Sequence, residues 1–90
     1  MNFEWDPLKA SQNVKKHNVH FADAVGVFED VNALTIADND HTEERFLTIG
    51  MDFILRLLVV AYSWRDDHTI RIISARKALP HERSHYEKQS

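Results

Sequence analysis

Three arginines, Arg65, Arg71 and Arg76, recur within RLLVVAYSWRDDHTIRIISARK at residues 56–77. A guanidinium stays charged at any ordinary pH and its planar fork matches phosphate oxygens, so arginines along one stretch are suited to holding a phosphate group. Leu57, Leu58, Val59 and Val60 form an apolar run too short for a helix of its own, and Ile70, Ile72 and Ile73 answer it with β-branched bulk. The stretch reads as a hairpin at the centre of a sheet. It carries five of the chain's eleven Lys and Arg residues, more charge than packing alone requires.

His17 is the residue best suited to proton transfer near neutral pH, and Lys15 and Lys16 precede it as cations for a phosphate. A simpler use for His17 is to hydrogen-bond the last carbonyls of a helix. Tyr62 and Trp64 are candidates for stacking on unpaired bases, although a buried aromatic in a small chain more often belongs to the core. HERSH at residues 81–85 spells the zinc pattern HExxH, in which two imidazoles one turn apart share a metal. Its setting is wrong for that chemistry, because the segment is polar and only Glu87 follows as a third ligand. No metal and no cofactor are expected.

Ninety residues make one domain, spanning residues 1–90, with a single modest core. Cysteine is absent, which excludes disulfides and thiolate metal sites. No apolar run is long enough to span a bilayer and no signal segment is visible, so the expected address is the cytoplasm, away from membranes. The net charge of −3 is unevenly spread: residues 17–55 hold eight acidic residues and one basic, while residues 56–90 hold seven basic and four acidic. Two electrostatic faces are expected, a basic one for RNA phosphates and an acidic one for a basic partner.

Asn2 to Trp5 alternate as an edge strand, and Asp6 followed by Pro7 marks a helix start, with the carboxylate as N-cap. That helix runs through Leu8, Ala10, Val14 and His17 and ends at Asn18, which tolerates the left-handed conformation. Phe21, Ala24, Val25 and Phe28 mark a second amphipathic helix. Residues 34–37 and 46–51 read as strands, with a polar turn at Asp38, Asn39 and Asp40, and Pro80 opens a final polar helix. The fold class is α+β, with a mostly antiparallel sheet of four to five strands, two N-terminal helices and one C-terminal helix.

FEWDPLKA at residues 3–10, KKH at 15–17, FADAVGVF at 21–28, EERFLTIG at 43–50, RLLVV at 56–60 and IRIISARKA at 70–78 together resemble the BrnT family of toxins. The resemblance implies a RelE-like fold, a ribonuclease that shuts down translation, and neutralisation by a BrnA-like antitoxin with a ribbon-helix-helix region. It also implies repression of the toxin-antitoxin operon, with operator DNA reached only through the antitoxin. Cutting RNA without a metal needs a base, a cation at the phosphate and an acid. Arg65, Arg71 and Arg76 with His17 are the catalytic candidates, and Lys15, Lys16, Tyr62 and Trp64 the RNA-binding ones. Glu43 and Glu44 are alternative bases. The acidic residues Asp23, Glu29, Asp30, Glu43 and Glu44 are the expected antitoxin contacts. The alternative is a catalytically degenerate homologue that only binds an antitoxin.

The register of the hairpin sharpens the arginines. A three-residue loop, 66–68, pairs Arg65 with Thr69 and Ser63 with Arg71, which gathers Arg65, Ser63 and Arg71 on one face and sets Tyr62 and Trp64 against Ile72 and Ile70 on the other. A two-residue loop places Tyr62 beside Arg71 instead.

Overall fold

The Asp6 carboxylate accepts the Leu8 amide at 2.8 Å and Pro7 occupies the first helical position, so α1 (Pro7–His17) begins where the sequence signal places it. It ends at Asn18, whose φ of 57° turns the chain out of the helix while its amide donates to the Val14 carbonyl. The computed structural model describes residues 1–39 and 43–89. The elements after α1 are a single turn, α2 (Phe21–Ala24), a 3₁₀ helix at Val25–Glu29, three strands β2 (Leu34–Asp38), β3 (Arg45–Met51) and β4 (Leu57–Asp66), then β5 (Thr69–Lys77) and α3 (Pro80–Glu87). Strand β1 (Asn2–Glu4) precedes α1. The expected turn at Asp38, Asn39 and Asp40 runs into residues outside the described ones. Among the described residues no helix is long and apolar enough to cross a membrane.

The second helix differs from expectation. The stripe at Phe21, Ala24, Val25 and Phe28 is present, but only its first turn is α-helical. The 3₁₀ segment contains Gly26, where a Cβ would meet the Phe53 amide nitrogen at 2.5 Å. Backbone packs on backbone there, and the chain tightens into 3₁₀ geometry beside two β-branched valines.

The five strands form one sheet in the order β1-β5-β4-β3-β2, in which β1 runs parallel to β5 and every other pair is antiparallel. Both ends of the chain therefore meet in one sheet, and β1 is an edge strand. Alternation assigns its two faces. Leu58, Val60, Tyr62, Ile70, Ile72 and Ala75 face α1 and α2 and form the main core with Val19, Phe21, Ala24 and Val27. Ile49, Leu57 and Val59 point the other way and are covered by Tyr86 of α3. On the remainder of that second face Glu4, Arg71 and Ser63 stand in one transverse row, with the Glu4 and Arg71 side chains accessible.

The hairpin corrects the expected loop but keeps the central register. Asp66 pairs with Thr69, leaving a two-residue turn, while Tyr62 pairs with Ile72, Ser63 with Arg71 and Trp64 with Ile70. The register shift between Trp64 and Asp66 leaves Arg65 as the extra residue, so the short loop and the favourable pairing coexist. Arg65 does not pair with Thr69.

Candidate nucleic-acid interface

Glu4, Arg65 and Arg71 form one cluster on the open face. Pairing of β1 with β5 sets Glu4 opposite Arg71. Its Oε2 accepts Arg71 Nη1 at 2.8 Å and Arg65 Nη1 at 2.8 Å. The bulge swings Arg65 round to reach the same carboxylate. Arg71 first, then Arg65, hold the Glu4 carboxyl below its usual range, against an opposing effect of burial. All three side chains remain accessible, at 32% for Glu4, 61% for Arg65 and 41% for Arg71. The arrangement presents two guanidinium forks, each with only its Nη1 committed to an acceptor among the described residues. It is suited to an anion with several oxygens, such as a phosphodiester.

Arg76 does not join this group. Its Nη1 and Nη2 each donate to Glu82, both at 2.8 Å, in a bidentate pair. Glu82 also accepts the Leu79 amide at 2.8 Å, the returning half of a capping box at the start of α3. With Arg76 the dominant cause, the Glu82 carboxyl is lowered to about 2. Arg76, expected among the catalytic residues, thus links β5 to α3 through Glu82. The same pair absorbs the Glu of HERSH, while His81 and His85 stand exposed on α3.

His17 sits at the seam of α1 and β5. It lines a depression of about 160 Å³ with Lys9, Gln12, Asn13, Lys16, Ile73 and Ser74. Burial first, then the charges of Lys16 and Arg76, push its imidazole below its usual range. Five residues of strand separate Arg71 from Arg76, about 17 Å at ordinary strand rise. Of the four expected catalytic residues, Arg65 and Arg71 share the Glu4 carboxylate, Arg76 is paired with Glu82, and His17 lies beside Ile73 and Ser74.

The other candidates divide in the same way. Tyr62 is 4% exposed, packs its ring against Phe28 and Phe46, and hydrogen-bonds Thr48 Oγ1 at 2.9 Å. Tyr62, expected as a stacking residue, therefore sits in the core with its ring enclosed. Trp64 is exposed but lies on the opposite face from Arg71, by alternation along β4. Lys15 and Lys16 diverge: Lys15 lines a groove with Trp5, Ser11 and Phe21, whereas Lys16 stays with His17.

The acidic residues do not make one surface. Asp30 is committed inside the molecule, accepting Tyr86 Oη at 2.6 Å, the Met51 amide at 2.8 Å and the Asn32 amide at 2.9 Å. Asp23 approaches Arg56 at 3.9 Å, and Glu29 is exposed beside a groove lined by Phe3, Val25, Phe28 and Phe53. Glu43, which pairs with Arg45 at 2.8 Å, and the exposed Glu44 lie before β3, a strand length of about 20 Å from its other end at Met51.

Two residues that matter here carried little signal in the sequence. Glu4 sits in the alternation of β1, but nothing in the chain says that β1 runs beside β5. Asn13, 6% exposed, closes the open edge of β5 beyond β1. Its amide donates to the Ala75 carbonyl at 2.8 Å and the Val19 carbonyl at 2.9 Å, and its Oδ1 accepts the Ala75 amide at 3.1 Å. A polar residue one turn from Ala10 and beside Val14 is the only trace of that duty.

The fold is similar to that of the crystal structure of the Brucella abortus ribonuclease toxin BrnT, with a TM-score of 0.66 and 23% sequence identity, covering 88% of this chain and 97% of that one. No curated protein matches the sequence. The family model described as ribonuclease toxin, BrnT, of type II toxin-antitoxin system matches residues 5–82. With residues 5–82 matched, most of the chain, this protein belongs to the BrnT family of type II toxin-antitoxin ribonuclease toxins.

Proposed function

We propose that this chain is an endoribonuclease that cuts RNA without a metal and thereby inhibits translation. The single observation that carries this reading is the accessible pair Arg65 and Arg71 gathered on one carboxylate of an open sheet face. Two forked cations stabilise the extra negative charge that builds on phosphorus as the nucleophile arrives, and electrostatic stabilisation of this kind is usually the largest single contribution to such a reaction. His17 and Lys16, further along β5, bind the RNA backbone beyond the scissile phosphate, and Trp64 and Lys15 serve substrate on the other side of the sheet.

A BrnA-like antitoxin with a ribbon-helix-helix region is the partner, bringing operator DNA to the pair and so repressing their operon in the cytoplasm. The exposed carboxylates of Asp23, Glu29, Glu43 and Glu44 meet its basic residues. A second reading, a degenerate toxin that only binds antitoxin, draws on the internal carboxylates that neutralise Arg65, Arg71 and Arg76. Purified protein incubated with RNA in a chelator, with and without antitoxin, separates the two. Cleavage that the antitoxin blocks supports the enzyme, and intact RNA under every condition supports the binder.

A further inference from the structure

We propose that Glu4 is the general base of the ribonuclease, a role that rests on the reading just given. The three requirements of metal-free cleavage must be met within one nucleotide's reach, and Glu4 is the carboxylate that shares a site with the arginines. Its two oxygens are differently employed: Oε2 takes both guanidinium bonds, and Oε1 has no partner among the described residues. A phosphodiester seated on the free N–H groups of Arg65 and Arg71 therefore brings its ribose beside an accepting oxygen. The other carboxylates are less suited. Both oxygens of Glu82 are held by Arg76, both of Asp30 are taken by Tyr86 and backbone amides, and Glu43 pairs with Arg45 instead. His17 lies on α1 in the depression against Ile73 and Ser74, and the Glu4 carboxylate takes its hydrogen bonds from the arginines alone among the described residues.

The step balances with water as the only further participant. The ribose 2′-hydroxyl gives its proton to Glu4 Oε1 while its oxygen bonds to the adjacent phosphorus. The bond from phosphorus to the 5′-oxygen of the next nucleotide breaks, and that oxygen takes a proton from water. Glu4 then returns its proton to the hydroxide left behind. The products are a 2′,3′-cyclic phosphate and a 5′-hydroxyl, with nothing oxidised or reduced.

Glu4→Gln tests the role, because the amide oxygen still accepts from the arginines but takes no proton. Wild type, Glu4→Gln and Glu4→Asp are compared on a short single-stranded RNA in chelator, with RNA affinity and thermal midpoint measured alongside. The expected result is a loss of at least about a hundredfold in cleavage for Glu4→Gln, the lower range for a general base. Its RNA affinity and midpoint stay near wild type, Glu4→Asp regains part of the rate, and the products carry 2′,3′-cyclic ends. A Glu4→Gln rate within threefold of wild type, or faster because Glu4 only fills the phosphate's place, overturns the proposal while the ribonuclease reading stands. Loss of folding in Glu4→Gln with a Glu4→Asp protein that folds, binds RNA and has no activity above Glu4→Gln also overturns it. A wild type that cuts no RNA overturns the ribonuclease reading itself.

Discussion

Glu4 and Arg71 stand opposite each other across the parallel β1–β5 pair, joined by a 2.8 Å hydrogen bond from Arg71 Nη1 to Glu4 Oε2. The first strand of the chain thus completes a site whose cations come from the hairpin near its other end. Removing residues 1–4 should cost activity as well as stability, since both the edge strand and the carboxylate would go.

The Arg76–Glu82 pair makes acid resistance depend on one bond. Glu82 has a folded-state value of about 2, below its ordinary 4.5, so its stabilisation is complete above about pH 4.5 and is lost as pH falls toward 2. Its side chain is 14% exposed and that of Arg76 35%, so solvent screens the pair in part. Glu82→Gln should lower stability by roughly 2 kcal/mol near neutral pH. Thermal midpoints of wild type and variant, followed down from neutral pH, should converge through that acid window.

Tyr86 gives the opposite dependence. Its hydrogen bond to Asp30, then burial, raise the phenol from 10.0 to about 12. The stabilisation is complete below about pH 10 and is lost as pH rises through about 12. Tyr86→Phe should cost roughly 1–2 kcal/mol in chemical denaturation and flatten that alkaline loss.

Asn13→Ala removes three hydrogen bonds at a buried position, two to Ala75 on the edge of β5 and one to Val19. The Ala75 amide and the carbonyls of Val19 and Ala75 would lose their partner, a loss of about 2–4 kcal/mol measurable by urea unfolding. Hydrogen exchange at the Ala75 amide should quicken more than at Ile72 in the core.

His17→Ala should weaken RNA affinity a few-fold and leave the cleavage rate at saturating RNA within about threefold of wild type, because His17 lies in the depression between α1 and β5 and the Glu4 carboxylate is bonded by Arg65 and Arg71 instead. Single-turnover rates check this. A loss of two orders of magnitude would move the chemistry to the α1–β5 seam.

Local chemistry made much of the architecture readable. Asp6, Pro7 and Asn18 fix both ends of α1 by capping, and alternation along residues 57–77 fixes which side of the hairpin is apolar. The Ser63–Arg71 pairing followed from separating polar from apolar faces, although the bulge at Arg65 was hidden because a two-residue turn with an extra residue leaves the same alternation beyond it. Long-range partners were not readable. Nothing near Arg76 in the sequence distinguishes a phosphate ligand from the partner of Glu82, and nothing near Tyr62 shows that Thr48, Phe28 and Phe46 enclose it. The parallel placement of β1, which creates the Glu4 cluster, depends on the crossover through α1 and α2 rather than on any local signal.

The initial rate of RNA cleavage by Arg71→Ala against wild type, both folded and in chelator, tests the arginine site most directly. Removing one of two cations from the phosphate should slow the reaction by about 10²-fold or more, with the thermal midpoint nearly unchanged because the pair with Glu4 is solvent-exposed. Cleavage by Arg71→Ala at the wild-type rate would contradict the assignment of the open sheet face as the site of reaction.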